Sequence, residues 1–153
     1  MKKKDLLDFL GNKFYCRVKP SKIEGVGVFA IKDIPERTNL FEAYSAPRND
    51  TLHERWYAYP TKEIKRLDKE IRKLIHDFCG ENNGKVAISS NMLKDIEGGC
   101  VYLLNHSEKP NIKCLYPEGT YVTLRKIEKG EELCFNYDKD FAKAKEQIDK
   151  WTE

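Results

Sequence analysis

The sequence predicts a domain of the β-rich α+β class, built from small sheets with few helices. About seven short segments have the alternating or apolar pattern of β-strands, and Pro, Gly and Asn separate them. One longer segment, residues 61–79, has apolar residues at the spacing of an amphipathic helix. The chain shows no strand–helix–strand rhythm and no internal repeat, so we expect several short sheets.

Composition favours one soluble domain spanning residues 1–153, with 40% hydrophobic and 35% charged residues. The net charge of +3 is too small to predict nucleic-acid binding by itself. No apolar run approaches the length of a membrane-spanning helix, so a membrane is not predicted as a partner.

Cysteine usage predicts no metal site, because no pair has the CxxC spacing of common zinc sites. An odd number of cysteines and the absence of a secretory signal favour a reducing compartment, either cytoplasmic or nuclear. The cysteines are Cys16, Cys79, Cys100, Cys114 and Cys134.

The first third of the chain predicts a short helix and three strands. Residues 5–10 have the pattern of one or two helical turns, and residues 14–19 alternate as a strand does. A second strand is interrupted by Gly25 and Gly27, which let the backbone bend and approach a ligand closely. Taken alone, this GxG favours a bulge or turn, and it lacks the third glycine of a dinucleotide-binding loop. Residues 40–44 read as another strand.

The middle and the end of the chain contain the predicted helices. Thr61 is suited to cap the helix over residues 61–79, and Gly80 stands where it should end. Residues 86–88 are a predicted strand, and Gly98 and Gly99 a predicted break. A final short helix is indicated by Phe141, Ala144, Ile148 and Trp151.

Residues 104–111 and 129–137 each place polar side chains in apolar surroundings, and we expect them to meet in one site. Buried polar groups need partners, so such runs are costly unless they serve a purpose. Between the two runs, residues 112–116 and 121–125 have the pattern of strands joined by a turn. Residues 133–135, inside the second run, are predicted as one more strand.

Three motifs resemble those of the SET-domain family of protein-lysine methyltransferases. Residues 25–30 (GVGVFA) resemble its first GxG motif, residues 105–111 (NHSEKPN) its NHSxxPN motif, and residues 125–137 (RKIEKGEELCFNY) its closing motif. The resemblance covers about residues 14–141 in the family's order. It implies a β-clip of small curved sheets with a pseudoknot. It also implies a helical insertion over residues 51–100 and a closing segment with a C-terminal helix over residues 138–153.

Two departures from the family pattern affect the prediction. Arg37 and Thr38 occupy a turn where the family usually carries glycine, so we expect a poorer turn. The cysteine-rich zinc segment that often follows the catalytic tyrosine is missing, so the C-terminal helix would have to close the site. Phe141 matches a family aromatic that lies against the cofactor, whereas Trp151 fits a lid or a core anchor equally well.

The resemblance implies transfer of a methyl group from S-adenosylmethionine to a lysine amine, without a metal and with S-adenosylhomocysteine as product. Tyr137 matches the catalytic tyrosine, whose hydroxyl would orient the methyl group or the amine. A tyrosine of pKa about 10 is rarely ionised at neutral pH, so a general-base role is not predicted. The implied cofactor-binding residues are Gly25, Val26, Gly27, Val28, Tyr102, Asn105, His106, Tyr137 and Phe141.

Tyr44 and Phe135 are the residues implied to line the substrate-lysine channel. Phenylalanine at position 135 leaves room in the channel, which implies di- or trimethylation. The substrate, a histone tail or another basic protein, is expected along an exposed strand edge in residues 86–96. No pattern indicates an oligomeric state.

Two other hypotheses remain open at the level of sequence. The chain could be a catalytically silent SET-like module that binds a partner or a methionine-derived ligand. It could also be a β-rich scaffold whose motif match is accidental. Binding of S-adenosylmethionine and the effect of Tyr137→Phe separate these hypotheses.

Overall fold

The computed structural model describes residues 2–45, 56–89, 91–115, 119–140 and 142, and within them the β-rich α+β class is confirmed. The helices are α1 (Lys3–Asn12), α2 (Glu42–Ser45), α3 (Thr61–Ile64), α4 (Lys69–Phe78), α5 (Met92–Val101) and α6 (Tyr137–Asp140). The strands are β1 (Cys16–Pro20), β2 (Val26–Ala30), β3 (Trp56–Pro60), β4 (Glu81–Asn82), β5 (Lys85–Ser89), β6 (Asn105–His106), β7 (Ile112–Leu115), β8 (Thr120–Thr123) and β9 (Glu132–Phe135).

The largest sheet has the strand order β1-β2-β9-β6 and brings the three sequence motifs together. β2 pairs antiparallel with both β1 and β9, whereas the two-residue strand β6 pairs parallel with β9. The GxG motif, the NHSxxPN motif and the closing motif therefore contribute neighbouring strands. The hairpin β7–β8 forms a separate sheet, joined to the chain before α2 by a bridge between Asn39 and Val122.

The predicted insertion contains a sheet as well as helices, because β3, β5 and β4 pair antiparallel in that order. This sheet packs with α1, α4 and α5 around one apolar cluster, and the larger sheet covers a second cluster. Ile96 of α5 packs against both clusters. α5 thus lies between the two cores and connects the insertion to the motif-bearing sheet.

The helix predicted over residues 61–79 is two helices, α3 and α4. Leu67 bonds back three residues to Ile64, and the Asp68 side chain then accepts the Glu70 N–H at 2.8 Å and caps α4. Thr61 is not a cap, since it is the first residue of α3 and its hydroxyl donates to Glu81. Ile64 and Leu67 pack in the same core as α4, so the apolar spacing does not reveal the break.

Three further predictions of secondary structure are wrong. Residues 42–44, predicted as strand, begin α2, although Leu40 still bonds to the backbone of the β7–β8 hairpin. Gly98 and Gly99 lie inside α5 and do not break it. Residues 86–96 are not one strand edge, because β5 is the central strand of its sheet and residues 92–96 belong to α5.

The turn at Arg37, predicted to be poor because it lacks glycine, has a backbone conformation that is unfavourable for a residue with a side chain. Its φ of 61° lies in the left-handed region, where a side chain is strained and glycine is favoured. The strain is tolerated because the Arg37 N–H donates to the Thr123 carbonyl at 3.0 Å, which ties the turn to β8.

The helix predicted from Phe141 onward lies outside the described residues. Among the described helices, none is long and apolar enough to cross a membrane.

Candidate active site

The GxG loop requires both of its glycines, for different reasons. Gly25 has a φ of +47°, a left-handed conformation that glycine adopts at little cost, and a β-carbon there would meet open space. At Gly27 a β-carbon would lie 2.1 Å from Glu132 Oε1 and 3.0 Å from Asn105 Nδ2. The backbone at Gly25 is therefore accessible, whereas Gly27 is packed against the other two motifs.

Asn105 joins the GxG loop to the closing motif. Its side-chain amide donates to Glu132 Oε1 at 2.7 Å and also lies 3.2 Å from the Val26 carbonyl and 3.3 Å from the Glu24 carbonyl. Ser21 donates to the same Glu132 carboxylate at 2.8 Å. The carboxylate at position 132 thus holds the loop and the NHSxxPN motif in one arrangement.

Asn111 fixes the crossing of the two polar segments. Its side chain donates to the Glu132 carbonyl at 2.7 Å and accepts from the Cys134 N–H at 2.9 Å. Its backbone N–H donates to the Cys134 carbonyl at 3.1 Å. The predicted meeting of residues 104–111 with residues 129–137 is therefore present, with Asn111 acting as a side-chain substitute for a strand partner.

Tyr137 lies at the centre of this crossing. Its hydroxyl donates to the Leu104 carbonyl, and its backbone N–H donates to His106 Nδ1 at 3.2 Å. Burial, followed by the nearby Cys134 and Glu24, raises the pKa of the Tyr137 hydroxyl above its ordinary value. The hydroxyl is therefore protonated at neutral pH and acts as a hydrogen-bond donor, so a role as general base is not favoured.

His106 belongs to a cluster with Glu108 and Asp138 whose ligand atoms lie within 4.8 Å of one another. Because His106 Nδ1 accepts the Tyr137 N–H, the neutral ring carries its proton on Nε2, which lies 3.2 Å from Glu108 Oε1. A metal ion on Nε2 would have to displace that proton and leave an imidazolate. This arrangement does not favour a metal site in the cluster.

An aromatic cluster extends from Tyr137 into the core. The Phe135 ring centroid is 4.7 Å from that of Tyr137 and 5.8 Å from that of Tyr121, and Phe41 lies 5.5 Å beyond Tyr121. Tyr44 packs against the same apolar cluster and lies close enough to influence the ionisation of Tyr121. We call these five residues the aromatic wall: Phe41, Tyr44, Tyr121, Phe135 and Tyr137. Tyr44 and Phe135, the predicted channel residues, both belong to it.

Phe41 and Tyr121 were missed as members of this wall. Both stand in segments predicted as strands, and the only sequence signal was their aromatic character. Burial raises the pKa of the Tyr121 hydroxyl well above its usual range, so it remains neutral. The aromatic wall is therefore made of uncharged groups, which are aromatic rings and the un-ionised hydroxyl of Tyr121.

Two of the predicted cofactor residues, Val28 and Tyr102, are not brought to this crossing. Val28 is fully buried in the core between β1 and β9, which does not support a cofactor contact by its side chain. Tyr102 follows α5 and is 81% exposed, and no described contact joins it to Asn105, His106 or Tyr137. Phe141 lies outside the described residues, as does Trp151.

A separate pocket of about 450 Å³ opens between β1, α4 and α5. Its lining is mainly apolar and includes Leu74, Phe78, Met92 and Leu103. It contains none of the residues predicted to bind a cofactor or a lysine. This pocket is therefore separate from the motif crossing, where the residues implied to do the chemistry lie.

The family model described as the SET domain matches residues 25–138, and the chain belongs to this family. Histone-lysine N-methyltransferase 2D from Homo sapiens and its Mus musculus counterpart are each 26% identical to the chain over 137 residues. The match covers 84% of this chain but spans only about 2% of the length of those relatives.

Among solved structures, the chain resembles a humanized mutant of the Chaetomium thermophilum Polycomb Repressive Complex 2 bound to the inhibitor GSK126. The identity is 19%, the TM-score is 0.37, and the match covers 83% of this chain and 15% of that chain. Family membership rests on the match over residues 25–138.

Proposed function

We propose that the protein is a protein-lysine N-methyltransferase that uses S-adenosylmethionine and acts on a histone or another basic protein. The observation that carries the proposal is the crossing at Asn105, where one amide holds the GxG loop and the Glu132 carboxylate together. Tyr137 lies at the same crossing, with its hydroxyl bonded to Leu104. The basic protein substrate, di- or trimethylation of its lysine, and a cytoplasmic or nuclear location are parts of the proposal.

The loop residues fit the amino-acid end of S-adenosylmethionine. The backbone at Gly25 faces open space, and Val26 is 44% exposed beside it. The Glu24 carboxylate lies near enough to Tyr137 to raise its pKa, so it offers a negative charge to a positively charged ligand. Gly25, Val26 and Asn105 are the residues that would hold the cofactor.

Methyl transfer needs positioning and a neutral amine. When bound, S-adenosylmethionine supplies a sulfonium methyl group: the lysine Nζ lone pair forms the new N–C bond while the S–C electron pair stays on sulfur. Orientation of the two reactants contributes roughly 7–11 kcal/mol in well-aligned reactions. The Tyr137 hydroxyl proton is donated to the Leu104 carbonyl, so its oxygen can orient the amine by accepting a hydrogen bond from an Nζ N–H, which leaves the Nζ lone pair free to react.

The aromatic wall would prepare the substrate lysine. A free lysine has a pKa of about 10.4 and is mostly protonated, but burial against rings and beside a positive charge lowers that pKa. Phe135, with its ring between those of Tyr121 and Tyr137, contributes no hydroxyl to this wall. The absence of that group favours room for added methyl groups, hence di- or trimethylation.

The test is calorimetric binding of S-adenosylmethionine to the whole chain, followed by labelled methyl transfer to mixed histones and to a cell lysate. Tyr137→Phe should remove most transfer while leaving the fold intact, and Tyr57→Phe, on β3 of the insertion sheet and not on a motif strand, is the matched control. Absence of cofactor binding would overturn the proposal. Binding without transfer to any protein would favour the silent module instead.

A further inference from the structure

Glu97 is a carboxylate buried in the core. It lies on α5, is 1% exposed, and its Oε2 accepts the backbone N–H of Tyr44 at 2.9 Å. The Ala43 N–H lies close enough to this carboxylate to lower its pKa. Its second oxygen, Oε1, is buried and has no hydrogen-bond partner among the described residues. Such burial is unfavourable for a charged group, so the position calls for an explanation beyond packing.

Gly98, the next residue of α5, contacts the ring of the same tyrosine. A β-carbon at position 98 would lie 3.2 Å from Tyr44 Cδ2 and 3.4 Å from Cε2. The first distance is tighter than ordinary side-chain contacts, so an alanine there would displace the ring. Glu97 therefore holds the backbone of Tyr44 while Gly98 admits its ring.

We propose that Glu97 and Gly98 are positioning residues that fix Tyr44 as a wall of the substrate-lysine channel. The inference rests on the proposed methyl-transfer function. It adds that the two residues act only through Tyr44 and so affect the peptide substrate and not the cofactor. Glu97 and Gly98 touch neither reactant in this assignment.

Titration of Glu97 gives the proposal a readout that a merely structural residue would lack. Burial raises the pKa of Glu97 to about 7, against the lowering effect of the Tyr44 and Ala43 N–H groups. The titratable groups that face it are Glu42 on α2 and the Cys16 thiol on β1. The ionised carboxylate is the stronger acceptor, so Tyr44 is held more firmly as the pH rises through 7.

Four variants of the whole chain test the assignment by methyl transfer to a lysine-containing protein substrate. Glu97→Ala and Gly98→Ala should each lower kcat/KM for this substrate about tenfold while S-adenosylmethionine binding stays within about twofold of the parent. Glu97→Gln keeps an acceptor for Tyr44 and should recover most of the rate. Gly99→Ala is the control, because a β-carbon at Gly99 meets nothing within 4 Å.

Two measurements separate positioning from general damage. In a Tyr44→Ala background, Glu97→Ala should cause no further loss of transfer. The ratio of the parent rate to the Glu97→Gln rate should rise between pH 6 and pH 8, since the pH dependence of the substrate amine cancels in the ratio. Equal losses from Gly98→Ala and Gly99→Ala, or a full further loss in the Tyr44→Ala background, would overturn the assignment.

The amide signals of Ala43 and Tyr44 report the contact without any substrate. In NMR spectra they should titrate with a midpoint near pH 7 in the parent and not in Glu97→Gln. Amides that do not titrate would refute the Glu97 contact itself. If the amides titrate but the parent transfers methyl to no protein, the proposed function fails and the channel role fails with it.

Discussion

Glu132 Oε1 occupies the position that a β-carbon at residue 27 would need, 2.1 Å away, and the Asn105 amide holds it there at 2.7 Å. The GxG loop is therefore fitted to a side chain of β9 and not only to a ligand. Glycine at position 27 serves the protein's own packing as well as any cofactor.

We expect Gly27→Ala to unfold more easily than the parent and, provided that the proposed function holds, to bind S-adenosylmethionine more weakly. The added methyl group must displace the Glu132 carboxylate from Ser21 and Asn105. Loss of hydrogen bonds to a charged group costs about 2–3 kcal/mol of unfolding free energy. Urea denaturation measures this. Gly80→Ala, where a β-carbon meets nothing within 4 Å, should change little, and equal effects of the two variants would contradict the packing account.

The Glu97 carboxyl should make the protein less stable as the pH rises. Its folded pKa of about 7 exceeds the ordinary value of 4.5, so between these values the folded state binds more protons than the unfolded state. The free energy of unfolding therefore falls from about pH 4.5 to pH 7, by up to about 3 kcal/mol from this group. In Glu97→Gln this fall of the unfolding free energy with rising pH should be absent. A parent and variant with parallel pH profiles in urea denaturation would contradict the prediction.

Arg37→Gly should stabilise the protein by roughly 0.5–1 kcal/mol. Glycine removes the strain of a φ of 61°, and little is lost because the Arg37 side chain is 90% exposed and lies 3.7 Å from its ionic partner, Glu36. The midpoint of urea denaturation measures the gain. Arg37→Ala removes the same charge but keeps a β-carbon, so it should show no such gain.

Phe135→Tyr should shift the product toward monomethyl-lysine, provided that the proposed function holds. The new hydroxyl would enter a buried wall where the Phe135 centroid lies 4.7 Å from Tyr137 and 5.8 Å from Tyr121. Less room then remains for a second methyl group. Mass spectrometry of the product peptide measures the methylation state, and an unchanged distribution of products would refute the interpretation. Phe78→Tyr, an exposed aromatic outside the wall, is the control.

The sequence predicted the class of fold and the crossing of motifs because both depend on short patterns. Asn105, His106 and Tyr137 lie in motifs whose order is informative, and the structure brings all three together. Arg37 was predicted to make a poor turn, and its positive φ agrees.

Other features depend on contacts between distant residues, which a linear pattern does not contain. Gly98 and Gly99 looked like a break, but Gly98 admits the ring of Tyr44, more than fifty positions earlier in the chain. Glu97 was not singled out in the sequence, and it is buried because α5 lies between two cores. Helical spacing likewise concealed the break between α3 and α4.

The bond from Tyr137 to Leu104 joins residues 33 positions apart, and the one from Asn105 to Glu132 joins residues 27 apart. No local segment of the chain contains a partial version of the site, because each half is completed only by the other. Closing such a loop carries an entropic cost before its contacts form, so we expect the crossing to assemble late in folding. Methyl-transfer competence would then report the finished fold, and no partly folded intermediate would be active.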